Sequence, residues 1–208
     1  MMKTTLLSLV SLCGLAASSV LHAEAQTFDF QDPKGVNNVS FMLDAPLESI
    51  SGSASGIAGT IEFDPENPAS ISGTIVVDAT SLTVTNPVMQ EHLHGEGWLN
   101  TGKHGQIRFE LGNVSKVEKE GRHLTMHATG DFTLHGVTKE ITVPVRVTYL
   151  PGMLADRTNG AAEGDLLVIR SDFSVNRSDY GIKPGQMTDK VAEEVELRLS
   201  IAGAAPRS

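Results

Sequence analysis

The run over residues 124–149 constrains the fold of this chain most, because it holds two long alternating segments joined by a short turn. In the first, Leu124, Met126, Ala128, Gly130 and Phe132 share one face, and His123, Thr125, His127, Thr129 and Asp131 share the other. In the second, Ile141, Val143, Val145, Val147 and Tyr149 oppose Thr142, Pro144, Arg146 and Thr148. A period of two with one apolar face predicts a half-buried antiparallel pair. Between the segments lies Leu134-His135-Gly136-Val137-Thr138-Lys139, where Gly136 supplies the positive φ that a tight hairpin turn requires. Pro144 has no N–H for a ladder, so it must lie at an edge, at a bulge, or with its missing donor turned away from a paired strand.

The same alternation recurs along the chain. It predicts strands over residues 27–30, 39–43, 57–63, 71–77, 107–111 with an extension over 114–117, 165–175 and 195–201. Asn86 as a cap, Pro87 at a first helical position, and Val88, Met89 and Leu93 on one face predict a short helix. Residues 150–162 and 178–187 read as loops, and residues 203–208 as a frayed tail. Eight or more strands with one short helix define an all-β antiparallel domain, either a closed barrel or a sandwich. Gly73 and Gly130 on otherwise apolar faces favour the barrel, which needs interior room or curvature in its wall.

Residues 1–25 read as a secretory signal peptide: Lys3, an apolar run over residues 6–21, and Ala23-Glu24-Ala25 at the cleavage site. Cleavage is expected after Ala25, or alternatively after Ala23. The apolar run is short and Ser-rich for a membrane span, and Leu12 before Cys13 does not suit a lipoprotein cleavage site. Residues 26–208 then form a single domain without cysteine, which excludes disulfides, thiol chemistry and cysteine-ligated zinc. The net charge of −9 steers such a protein away from nucleic acid and anionic membranes. With no second apolar span, no stable membrane insertion is expected, and the periplasm is the predicted compartment.

No metal-ligand pattern is present. His92 and His94 lie two apart on a helix, turned about 200° from each other, and His123 and His127 fall on the polar face of their strand, so solvent-facing histidine is the expectation. No Gly-x-Ser-x-Gly, no His-Glu-x-x-His and no phosphate-binding glycine loop occurs, and no cofactor is implied. Glu193, Glu194 and Glu196 read as a solvated run around the last strand. Arg170-Ser171-Asp172-Phe173 and Arg177-Ser178-Asp179-Tyr180-Gly181-Ile182 form a near repeat. It suits either an Arg–Asp pair buttressing a barrel end or an arginine at a pocket mouth holding an anionic head group.

Taken in order, several pieces resemble the YceI-like family: Phe63-Asp64-Pro65, residues 77–82 followed by Glu91-His92-Leu93, Ile107-Arg108-Phe109, residues 134–139, and residues 177–182. The chain departs from the family pattern at Gln90, Trp98-Leu99, His104-Gly105 and Tyr180. The resemblance implies an exported lipocalin-like barrel of about eight strands, enclosing an apolar tunnel for an isoprenoid amphiphile, a polyprenyl lipid or a quinone. The residues expected to bind it are Phe41, Phe63, Ile75, Trp98, Phe109, Met126, Phe132, Val143, Phe173, Tyr180 and Arg177. The leading expectation is a carrier or sequestering protein without catalysis. The alternatives are an enzyme acting on a small amphiphile through His92, His135 or a carboxylate at the barrel mouth, and an interaction module with a packed interior. Homodimerisation is left open.

Overall fold

The computed structural model describes residues 25–207, and the predicted signal peptide, Cys13 included, lies outside them except for Ala25. Eleven strands occur among the described residues: β1 (Gln26–Asp29), β2 (Asn38–Asp44), β3 (Ser49–Ala54), β4 (Ile57–Phe63), β5 (Ser72–Asp78), β6 (Thr83–Val84), β7 (Gln106–Glu120), β8 (His123–Leu134), β9 (Val137–Leu150), β10 (Gly164–Asn176) and β11 (Glu194–Pro206). Two short helices accompany them, α1 (Pro87–His94) and α2 (Leu154–Thr158).

The pairings reduce these strands to a closed ring. Both β1 and β2 run antiparallel to β11, β1 at Asp29–Ala204 and β2 across Ser200 to Glu196. In the same way β3 pairs with β2 and β6, whereas β4 pairs with β1 and β5. Three barrel strands are therefore interrupted, β1/β2, β3/β4 and β5/β6. Counted so, eight antiparallel strands follow one another in chain order and the last meets the first.

Each interruption has its own polar fastening. Asn37 is buried, donates to the carbonyls of Phe30 and Ala202 at 3.0 and 3.1 Å, and accepts from the Ala202 amide at 2.8 Å. Gly56 donates to Ser81 Oγ and accepts from the Asp78 amide. Asp78 in turn caps the Ala79–Ser81 turn through Thr80. Unpaired backbone groups at the breaks are thus satisfied without a ladder.

The organising hairpin forms as its alternation requires, in register from His123–Thr148 to Leu134–Val137. Its two-residue turn, His135-Gly136, has φ of 52° and 75°, the doubly positive geometry that matches strand twist. Hydroxyl pairs Thr129–Thr142 and Thr133–Thr138, each at 2.8 Å, tie its outer face. Pro144 sits where the β9–β10 ladder has ended, one pair having last formed at Arg146–Arg170. Ser171 Oγ donates to the Pro144 carbonyl at 2.6 Å, so that side of the proline faces β10 and its missing N–H deprives no ladder.

Four expectations change. Residues 203–206 are not frayed but complete β11, paired with β10 as far as Gly164–Pro206, because ring closure needs the full strand. Loop 150–162 contains α2, whose Leu154 is buried. The helix α1 runs one residue further than its apolar pattern, with Asn86 Oδ1 accepting from the Val88 and Met89 amides. Gly73 and Gly130 are required less for interior room than for backbone approach, since a Cβ would lie 2.1 Å from the Thr60 carbonyl oxygen and 2.2 Å from that of Glu110.

One end of the barrel is plugged. Phe28, Phe30, Phe63, Val147 and Leu167 are each at most 1% exposed, and Tyr149 lays its ring against Phe28 and Phe63. The plug is pinned by Asp165, whose carboxylate is fully buried and accepts from Tyr149 Oη at 2.7 Å, from the Gly152 amide at 2.8 Å and from Arg207. Burial alone would push this carboxyl up, but those donors, with the Gln26 side chain, hold it below the usual aspartate value. A folded-state value below the unfolded one makes the contribution complete above about pH 4 and lost as pH falls through the folded value. Asp165→Asn is accordingly expected to lower the urea midpoint at neutral pH and to flatten its decline below about pH 4. Asp32, which accepts from three loop amides and is likewise held low, preserves part of that decline. An unchanged pH slope in the variant contradicts this role.

Candidate functional site

Inside the ring lies a cavity of about 240 Å³. The inward faces of the alternating strands build it, and its chemistry follows from which residues a period-two pattern places there. Of the residues singled out from the sequence, Phe41, Ile75, Trp98, Phe109, Met126, Phe132, Val143, Phe173 and Arg177 line it. Its lining residues include no histidine, aspartate or glutamate. The polar ones are Arg108, Ser171 and Arg177, and each has its polar end engaged elsewhere: Arg108 with Glu110 at 2.8 Å, Ser171 with Pro144, and Arg177 as described below. At the end opposite the aromatic plug the lining includes Leu43, Leu93, Trp98, Leu99 and Val195, each half-buried.

Two expected lining residues lie elsewhere. Phe63 is the last residue of β4 and packs in the plug against Tyr149, beyond the closed end of the cavity. Tyr180 is 1% exposed and packs edge-on to Phe132 at 5.6 Å, outside the lining. Both seal the barrel: for Phe63, at the end of β4, alternation cannot distinguish a seal from a wall, and Tyr180 lies on the turn over residues 177–180, where no alternation applies. Lys139, opposite Phe132 in the hairpin register, escapes the interior by reaching Asp179 at 2.7 Å, passing 5.9 Å from the Tyr180 ring.

Arg177 is neither an Arg–Asp buttress nor a free head-group cation. It is 2% exposed, and its Nε donates to the Ala192 carbonyl at 3.0 Å. One terminal nitrogen reaches the carbonyls of Ile182 and Lys183, and the other those of Gln186 and Val191. Glu193 completes the set at 3.0 Å, so Glu193 belongs to this cluster and not to a solvated run. With five N–H groups spent on loop 182–193, the guanidinium gathers that loop over the end opposite the plug and contributes only its stem to the cavity. The planar fork explains the choice of arginine, since no other side chain converges on so many carbonyls.

Sequence reasoning missed Gln90. Its Nε2 donates to the Leu82 carbonyl at 2.8 Å and its Oε1 accepts from the Val84 amide at 2.7 Å, clamping α1 to the free edge of β6. His94 joins this network through Leu82, Gln90 and Thr101, which corrects the solvent-facing expectation for it. His104 and His135 stack edge-on at 4.7 Å beside the hairpin turn, outside the lining, and His135 Nδ1 lies 3.1 Å from the Tyr180 carbonyl. Burial, then the neighbouring His135 and Lys103, lower the His104 pKa. Among the described residues no three His, Cys, Asp or Glu side chains converge as metal ligands.

Fold and cavity together define a closed, eight-stranded antiparallel β-barrel with an apolar interior, plugged at one end by aromatic side chains. Residues 25–202 match the YceI-like domain, and the chain belongs to that family. It is 31% identical to protein YceI of Escherichia coli O157:H7 over 147 residues, 70% of this chain and 69% of the relative. A UPF0312 protein of Yersinia pestis (strain Pestoides F) is 30% identical over 154 residues, 73% and 72% of the two chains. Among solved structures, BcnA of Burkholderia cenocepacia superposes with a TM-score of 0.64 at 20% identity, over 80% of this chain and 95% of that one. A polyisoprenoid binding domain from Saccharophagus degradans gives 0.62 at 11% identity, over 88% and 100%.

Proposed function

We propose that this protein carries or sequesters an isoprenoid amphiphile, a polyprenyl lipid or a quinone, in the periplasm and performs no chemistry on it. The observation that carries this reading is the lining: a cavity walled by aliphatic and aromatic side chains, whose few polar groups are already bonded to the protein. Such a wall has nothing to offer a polar ligand and much to offer a tail, at about 0.8 kcal/mol per buried CH₂. The polyisoprenoid-binding description of the Saccharophagus degradans domain agrees with it, and the predicted signal peptide supplies the compartment. The enzymatic alternative finds no acid or base on the wall, and His92 and His135 stand outside it. Protein purified from its own host, extracted with organic solvent and analysed by mass spectrometry, is expected to release a prenyl-chain lipid in near-stoichiometric amount. Extracts that contain no prenyl lipid, or only phospholipid, overturn the reading.

A further inference from the structure

The cations around the end opposite the plug are mostly spent. Arg177 uses all its donors on the loop, Lys139 sits on Asp179, Lys190 on Glu48 at 4.0 Å, and Arg198 on Asp172 at 2.5 Å. Lys103 is exposed, on the turn beside His104, and has no partner among the described residues. Lys183 differs from all of them. It is half-buried, with its ammonium 5.3 Å from the centre of the Trp98 ring and against Gly97, and among the described residues it has no carboxylate within 4.0 Å and no hydrogen-bond acceptor. An indole face offsets part of the desolvation of an ammonium but satisfies none of its N–H donors.

This placement is built into the chain. Lys183 has φ of +41°, a conformation that side chains of this kind rarely adopt, and the Arg177 guanidinium holds it by binding the carbonyls of Ile182 and Lys183 itself. Trp98 and Ile182 both line the cavity, so the ammonium stands directly outside its wall, at the end opposite the plug. The interior offers a polar group no partner, and an amphiphile whose tail fills it must leave its head here.

We infer that Lys183 and Trp98 form a head-group site for a monoanionic amphiphile, one bearing a single carboxylate, in place of a neutral quinone or a multiply charged diphosphate. This rests on the carrier reading above. The limit of one charge comes from the count: one half-buried cation is free, Arg177 is closed to ligand, and Glu193 lies beside it on the Arg177 guanidinium. A second negative charge meets no second half-buried cation there and faces the Glu193 carboxylate.

Three probes with the same geranylgeranyl chain separate the outcomes: the alcohol, the carboxylic acid and the diphosphate, measured by equilibrium displacement of a fluorescent prenyl reporter from delipidated protein. The acid is expected to bind about tenfold tighter than the alcohol, the scale of one hydrogen bond to a charged group, and the diphosphate no tighter than the acid. The acid's advantage is expected to shrink in high salt, to fall below about twofold in Lys183→Gln, and to survive in Lys183→Arg. Thermal melts of the empty variants confirm that each is folded. Equal binding of acid and alcohol by the parent protein, an advantage that persists in Lys183→Gln, or a diphosphate about tenfold tighter than the acid each overturn the inference while leaving the carrier reading intact. Binding of none of the three sinks the carrier reading itself.

Discussion

Arg177→Met is expected to cost about 3–5 kcal/mol in urea unfolding, the scale of breaking a buried charge cluster by removing one partner. The side chains are similar in length and both suit an apolar wall, so lost packing contributes little. What changes is the polar account: the carbonyls of Ile182, Lys183, Gln186, Val191 and Ala192 lose their shared donor, and Glu193 is left half-buried without its cation. Buried acceptors without partners cost about 1–3 kcal/mol each unless water reaches them, and here the loop can lift to let water in. The penalty is therefore expected to appear twice, as a lower unfolding midpoint and as faster amide exchange confined to residues 182–193. Arg177→Lys is expected to recover less than half, since three donors on one atom cannot span a fork. A loss below about 1 kcal/mol for Arg177→Met contradicts the assignment of Arg177 as the loop's anchor.

Two phenylalanines on the same ring are expected to respond in opposite ways to truncation. Phe28 is fully buried in the plug and lines no cavity, so Phe28→Ala is expected to cost about 3–5 kcal/mol in the empty protein. Phe109 lines the cavity and is half-buried, its ring covering Gly130 on the neighbouring strand. Part of its surface faces space, so Phe109→Ala enlarges a void that already exists and is expected to cost under about 2 kcal/mol. Its main effect is on the tail, with retention of a labelled prenyl lipid expected to weaken about tenfold, near the loss of a buried aromatic contact. Met126 and Phe132 are less discriminating sites, because each is also packed in a buried cluster and Phe132 contacts both Phe173 and Tyr180. Equal destabilisation by the two substitutions, with lipid retention unaffected in Phe109→Ala, means a core packed throughout.

Much of the barrel was legible because its information is local. Alternation placed Met126, Phe132 and Val143 on the inner face, Gly136 marked the hairpin turn, and Asn86-Pro87 marked the start of α1; each rests on neighbours within a few residues. The interrupted strands were harder. Residues 49–54 of β3 are Ser-rich with little apolar contrast, so their pairing with β2 left no periodic trace. The C-terminal tail looked frayed for the same reason: Gly203, Ala204 and Ala205 carry little side-chain signal, yet Phe30 packs against the space above Gly203 and the ladder with β10 holds them.

By itself, the sequence determined that the chain is an all-β antiparallel domain with one apolar face per strand, while closure into a barrel and not a sandwich was decided by the pairing of β1 and β2 with β11. It also determined which side chains point inward. Whether an inward side chain meets a ligand space or another side chain was decided only by the tertiary structure, because that depends on the distance to the opposite wall, which ring closure sets. Phe63 and Phe109 have the same alternation and end in different places, one in the plug and one on the cavity. Arg177 was decided the same way: its motif is local, but the carbonyls that occupy it belong to a loop that folds back over the barrel end, and no local pattern in the sequence encodes that return.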